Sequence, residues 1–175
     1  METVRVALAE ASEGVLAEVL ALNEAVEDRT APLDVARLSA LIDAALFAEA
    51  RLDAEGHVAA FLIGFERGAR YDSPNFAWLS ARLDSFAYVD RVVVAPRAQG
   101  MGLARALYAD FAEVARARGL ELLACEINRV PANPESDAFH AALGFVEIGQ
   151  GVPLPGKLVR YMTLALQPDA DRSGG

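Results

Sequence analysis

Apolar positions along this chain recur every second residue in some stretches and about every 3.6 residues in others, and the changes of period predict its elements. Val4-Arg5-Val6-Ala7-Leu8 alternates as a short strand. Ser12 is placed to N-cap a helix on which Val15, Leu16, Val19 and Leu20 share one face. A second helix is expected from near Asp34, with Val35, Leu38, Leu41, Ile42 and Ala45 as its stripe; Pro32 lies just upstream, where it costs no helix hydrogen bond. Phe47–Leu52, the turn Asp53-Ala54-Glu55-Gly56 and His57–Glu66 read as a hairpin, with Gly56 free to take the positive φ such turns need. The second arm, Val58–Phe65, is apolar on both faces, as a central strand covered by helices would be. A loop over 67–76 leads into a short helix over Asn75–Arg82, and Ser85–Ala95 forms a long strand that Pro96 stops.

A helix of about 17 residues follows from Gly102 to Arg118. Leu103, Leu107, Phe111 and Val114 face inward, Arg116 and Arg118 complement the dipole in the last turn, and Gly119 caps it. Leu120–Asn128 is again a strand, Pro134–Leu143 a short helix ended by Gly144, and Phe145–Gly149 and Val159–Leu166 close the sheet. Hairpins mixed with strand–helix–strand crossovers predict an α+β (mixed α/β) fold with helices on both faces of its sheet, rather than a doubly wound parallel fold. One domain over 1–166 with a frayed tail over 167–175 is the expected organisation.

Composition narrows the class. At 54% hydrophobic and 23% charged, the chain is globular rather than disordered. The net charge of -9, with no basic stripe to neutralise phosphates, speaks against a nucleic-acid partner. That acidity favours a cationic or neutral acceptor, or simply keeps the protein soluble. Cys125 is the one cysteine, in an apolar run where a small buried hydrophobe is the natural reading. Two histidines and one cysteine, far apart, give no metal-ligand cluster. The N-terminus lacks a basic, then apolar, leader and no stretch is long and apolar enough for a membrane span, so a cytoplasmic location is expected.

The most informative stretch is Arg97-Ala98-Gln99-Gly100-Met101-Gly102-Leu103-Ala104, which follows the strand Arg91-Val92-Val93-Val94 and opens the long helix. A helix N-terminus carries unpartnered amides and a partly positive dipole end, and small residues let a diphosphate come close. A dinucleotide fingerprint would need glycine where Arg105 stands, and no Gly-Lys-Ser/Thr string exists for a P-loop. A glycine-containing helix start without a ligand is the competing reading.

Gln99, Gly102 and Ala104 match the Gln/Arg-x-x-Gly-x-Gly/Ala pattern of GNAT acetyltransferases, and Val92-Val93-Val94-Ala95-Pro96 looks like the strand that precedes it there. Asn133, Ser136, Phe139, Gly144 and Phe145 resemble that family's second signature. The order of elements over about 3–166 also fits, so the chain resembles a GNAT N-acetyltransferase. The resemblance implies a central mixed, mostly antiparallel sheet of about seven strands. It implies acetyl-coenzyme A as cosubstrate, its pyrophosphate on the amides of Gln99, Gly100, Met101, Gly102, Leu103, Ala104 and Arg105. The pantetheine arm would pair with the backbone of Val92, Val93 and Val94, and Asn133, Ser136 and Phe139 would line its far side. The strand ending at Asn128 would splay from its neighbour, and the amide near Val92 would polarise the thioester carbonyl.

The sequence departs from the pattern in two places. Arg129-Val130-Pro131 lengthens the connection to Asn133, and His140 stands where the family carries a tyrosine hydroxyl. His140 could protonate the leaving thiolate in its place, or be a surface or capping histidine. Glu126 and Asp90 are the candidate bases; a structural salt bridge, to Arg91 or Arg129, is the alternative for both. His57 reads as a solvent-facing strand residue. Tyr71, Asp72, Trp78 and Tyr88 either shape an acceptor pocket or pack in the core. The acceptor implied is the primary amine of a small molecule or protein; a coenzyme A-binding sensor without turnover is the alternative. Edge strands near Val159–Leu166 could pair two copies into a homodimer.

Overall fold

The computed structural model of the chain describes residues 2–26 and 30–166; the tail expected over 167–175 lies outside the described residues. The strands are β1 (Val4–Ala7), β2 (Phe47–Leu52), β3 (Val58–Glu66), β4 (Phe86–Val94), β5 (Leu122–Val130), β6 (Val146–Leu154) and β7 (Lys157–Ala165). The helices are α1 (Glu13–Glu24), α2 (Val35–Ala44), α3 (Pro74–Ser80), α4 (Leu103–Ala117) and α5 (Pro134–Leu143). The strands form one seven-stranded sheet in the order β1-β2-β3-β4-β5-β7-β6. β4 and β5 run parallel, whereas β1–β2, β2–β3, β5–β7 and β6–β7 are antiparallel. The mixed, mostly antiparallel sheet is the one expected. No helix among the described residues is long and apolar enough to cross a membrane.

The described residues fall into two compact units, one drawn from Met1–Phe65, Ala69–Tyr71 and Val89–Phe111, the other from Glu66–Gly68, Asp72–Tyr88 and Ala112 up to residue 166. In the first, α1 and α2 begin where the caps put them. Ser12 Oγ accepts from the Val15 amide at 3.3 Å and Asp34 Oδ1 from the Arg37 amide at 2.7 Å, each such cap contributing about 1 kcal/mol. Leu38 and Leu41 are buried, but Val35 is exposed and falls outside the stripe expected of α2, because it stands at the first helical position. All of Val58–Phe65 is buried, as a strand with a neighbour on each side and apolar residues on both faces should be. Leu103, Leu107 and Phe111 of α4 are buried, at about 2 kcal/mol each, and Phe111 packs on Phe47 of β2 with ring centroids 5.4 Å apart.

In the second unit, α3 covers one face of the β5–β7 pair. Trp78 stacks on Tyr161 at 3.9 Å, Tyr161 Oη donates to Asn75 Oδ1 at 3.0 Å, and Phe76 packs on Phe86 and Tyr88. α5 meets the opposite face through the Arg160–Asp137 ion pair, since Arg160 and Tyr161 are successive strand residues.

Two sequence expectations change here. The closing hairpin is longer than Phe145–Gly149 and Val159–Leu166, because β6 runs on through Gly149, Gly151 and Pro153 to Leu154. Those residues read locally as breakers, yet a Cβ on Gly149 would stand 2.7 Å from Trp78 Cη2, and one on Gly151 would stand 2.9 Å from a Tyr161 ring carbon. Glycine is there to admit two aromatic rings, not to end a strand. Second, β7 is interior, paired with β5 on one side and β6 on the other, so Val159–Leu166 offers no edge; the edge belongs to β6.

Candidate active site

In the first unit the chain leaves β4, makes a 3-10 turn over Pro96–Ala98 and enters α4 through Gln99–Gly102. Gly100 and Gly102 have φ of +75° and +78°, a region L side chains rarely occupy. A Cβ on either would meet nothing within 4 Å, so backbone conformation and not crowding requires glycine. The open space leaves the peptide backbone approachable. Gln99, Gly100, Met101, Gly102 and Arg105 are exposed, Ala104 is half-buried, and Leu103 anchors the turn in the core. The first amides of a helix have no partner within it, and the first turn of α4 carries no acidic residue. The local field therefore favours an anion. Just upstream, Val93 is buried while Val92 and Val94 are half-buried.

Asp90 lies two residues before Val92, and its carboxylate is engaged on both oxygens. Tyr71 Oη donates to Oδ1, and Arg91 Nε donates to Oδ2 at 2.6 Å. Arg91 in turn donates to Asn23 Oδ1 at 2.8 Å and to the Ala31 carbonyl at 3.2 Å. The Tyr71 ring stacks on Phe65 at 4.3 Å with the Arg37 guanidinium near it. This is the salt-bridge alternative for Asp90, with Arg91 as its partner.

In the second unit, Glu126 lies on the same face of β5 as Ala124, and its register partner on β7, Tyr161, points to that side too. Glu126 Oε2 accepts from Tyr88 Oη at 2.8 Å. Burial, and then the Glu126 charge, push the Tyr161 phenol pKa up, so it stays protonated. Tyr88 is in the core, and Cys125, on the other face, is buried with its thiol pKa pushed well up by desolvation.

The second signature proves to be a pair of helix caps. Asn133 Oδ1 accepts from the Ser136 amide at 3.2 Å and so starts α5. Gly144, at φ +91°, ends it, with the Phe145 amide on the His140 carbonyl and the Gly144 amide on that of Ala141, both at 3.0 Å. His140 is buried, 5% exposed, edge-on to both Phe139 and Phe145. It is not a surface histidine. Its Nδ1 lies 2.8 Å from the Ser136 carbonyl oxygen. A carbonyl only accepts, so Nδ1 carries the proton. Burial lowers the imidazole pKa, the Ser136 carbonyl and Asp137 opposing it, and the ring is neutral at pH 7. α5 packs on the face of β7 away from Glu126, so the two candidate proton carriers are not brought onto one face. His57 is exposed as expected, but lies just before β3 and pairs with Glu18 Oε1 at 2.9 Å.

A model of the acetyltransferase (GNAT) family matches residues 21–145, which span the glycine turn and the second signature through Phe145. The chain belongs to the GNAT acetyltransferase family. No curated protein matches it in sequence. Among solved structures, the ribosomal-protein-S18-alanine N-acetyltransferase from Escherichia coli is similar over 99% of this chain and 100% of its own, with 17% identity and a TM-score of 0.66. YncA from Salmonella typhimurium, solved with its cofactor acetyl-CoA, is similar over 97% of this chain and 99% of its own, at 23% identity and TM-score 0.68. Nourseothricin acetyltransferase is similar over 69% of this chain and 65% of its own, at 23% identity and TM-score 0.55. At such identities the likeness establishes the GNAT fold alone.

Sequence reasoning did not find Asn75, Tyr161, Gly149 or Gly151. The Gly-x-Gly spacing inside a strand was the available signal, since it marks a close approach by another group.

Proposed function

We propose that this GNAT protein transfers an acetyl group from acetyl-coenzyme A to the primary amine of a small molecule or protein, by direct attack in a ternary complex. The observation that carries the reading is the turn Gln99–Gly102, with two left-handed glycines and open space above them at the head of α4. The amides of Gln99–Arg105 hold the pyrophosphate, the backbone of Val92, Val93 and Val94 pairs with the pantetheine arm, and the amide near Val92 stabilises the oxyanion. Asn133 and Ser136, through the helix start they build, and Phe139, within α5, belong to the cofactor's surroundings.

Glu126 is the base in this reading. An ammonium acceptor gives one proton to the Glu126 carboxylate, directly or through water; the nitrogen lone pair then forms the N–C bond. Collapse of the tetrahedral intermediate breaks C–S, and the second proton lost by nitrogen ends on the thiolate sulfur. Asp90, with both oxygens accepting hydrogen bonds, holds β4 and its two flanking segments rather than taking that proton. His140 stands where the family carries a hydroxyl, but it gives its Nδ1 proton to a carbonyl and is neutral. It supports α5 and is not the thiolate's acid. This same feature favours one second reading, a coenzyme A-binding module without turnover.

Thiol release separates the two. Incubating the protein with acetyl-coenzyme A and a panel of amines should free coenzyme A with at least one acceptor. The single cysteine is buried, so an added thiol reagent reports the cofactor. Tight cofactor binding with no thiol release from any amine leaves the module reading standing.

A further inference from the structure

The segment that delivers the chain to the glycine turn is itself fastened. Arg97 stands in the 3-10 turn Pro96–Ala98, two residues before Gln99. Its Nε and Nη2 donate to Asp53 Oδ2 at 3.2 and 2.8 Å, and Nη2 also donates to the Val58 carbonyl at 3.0 Å. Asp53 is 7% exposed and closes the β2–β3 turn. Its Oδ1 accepts from the His57 amide at 2.8 Å, its own amide donates to the His57 carbonyl at 2.9 Å, and its carbonyl accepts from Gly56 at 3.0 Å. The carboxylate is thus fixed to the hairpin by Oδ1 and offers Oδ2 to the Arg97 guanidinium. The Ala95 amide adds a backbone tie to the Ala59 carbonyl at 2.8 Å. A basic residue next to a diphosphate site invites the reading of a direct phosphate ligand, but this guanidinium is turned to the hairpin.

We infer that Arg97 is a positioning residue for the cofactor: through Asp53 and the Val58 carbonyl it fixes Pro96–Ala98 to the β2–β3 hairpin, and so sets where the amides of the glycine turn stand. The inference rests on the cofactor reading above. An oriented set of amides binds an anion well only if it is held in place beforehand. The two-contact Arg97–Asp53 pairing resists rotation better than one ammonium would.

Calorimetry with coenzyme A and with dephospho-coenzyme A tests it on the wild type, Arg97→Met, Asp53→Asn and the double variant, each with its thermal midpoint recorded. Both single variants should weaken coenzyme A binding to a similar extent, about tenfold, the size expected when one charge-assisted hydrogen bond no longer orders the site. The double variant should be no weaker than either single one, because both remove the same pairing. Dephospho-coenzyme A should lose as much as coenzyme A. Arg97→Lys should restore part of the loss and covers the case in which Arg97→Met fails to fold. The inference is overturned if Arg97→Met weakens binding while Asp53→Asn does not, or if the loss vanishes with dephospho-coenzyme A; either result makes Arg97 a phosphate ligand. Unchanged affinity in both variants also overturns it and leaves the cofactor reading intact. A wild type that binds no coenzyme A removes that reading, and this inference with it.

Discussion

Replacing Gly149 with alanine puts a methyl group where Trp78 already stands. The new carbon would lie 2.7 Å from Cη2 and 2.8 Å from Cζ2 of the indole, well inside van der Waals contact. The indole has little freedom to withdraw. It stacks on Tyr161 at 3.9 Å and 12°, carries the Arg82 guanidinium 3.8 Å from its centroid, and Tyr161 is tied to Asn75. Overpacking of this kind costs about 2 kcal/mol, which for a chain of this length lowers the melting temperature by about 4–8 °C. Trp78 is the only tryptophan, so its emission reports the displacement without interference. The control is Gly156→Ala. That glycine has φ +78° but a Cβ there meets nothing within 4 Å, so only backbone strain of about 1 kcal/mol is added and the emission stays as in the wild type. A Gly149→Ala protein with unchanged melting temperature and unchanged tryptophan emission would refute the claim that β6 carries glycine to admit the ring.

Gly102→Ala, at φ +78°, should cost about 1 kcal/mol in stability. It should also weaken coenzyme A binding measured by calorimetry, because the turn and its amides shift together. Glu126→Gln should lower kcat by about 100-fold while leaving coenzyme A affinity unchanged; a kcat within about twofold of wild type removes Glu126 from the proton path. The folded-state pKa of His140 is depressed, so the unfolded chain takes up its proton first as pH falls, and native stability drops below about pH 6.5. His57 acts oppositely. Glu18 raises its pKa, so its contribution is present at low pH and fades as pH rises through the folded value. In a His57→Gln parent, the melting temperature should therefore fall between about pH 7 and 5.5, and adding His140→Phe should flatten that slope.

Much of the molecule was written in short-range spacing. Ser12, Asp34 and Asn133 sit where their side chains reach an amide three residues on, so the helix starts could be read from adjacent residues. The unbroken apolar run Val58–Phe65 announced an interior strand, and Gln99–Ala104 announced a turn that needs glycine backbone at the head of a helix. What tertiary structure decided is the company each polar group keeps. Asp90 was legible as a carboxylate on the strand that leads to the glycine turn, but Tyr71 and Arg91 determine that both its oxygens are engaged. His140 was legible as a substitution in a signature, but burial between Phe139 and Phe145 and the Ser136 carbonyl fix its charge and tautomer. Likewise, only the pairing of β7 with both β5 and β6 shows which strand is the edge. Caps and turns depend on residues a few positions apart, which the sequence lists side by side. Protonation, partner choice and strand order depend on residues that folding brings together from distant parts of the chain, and packing alone selects among them.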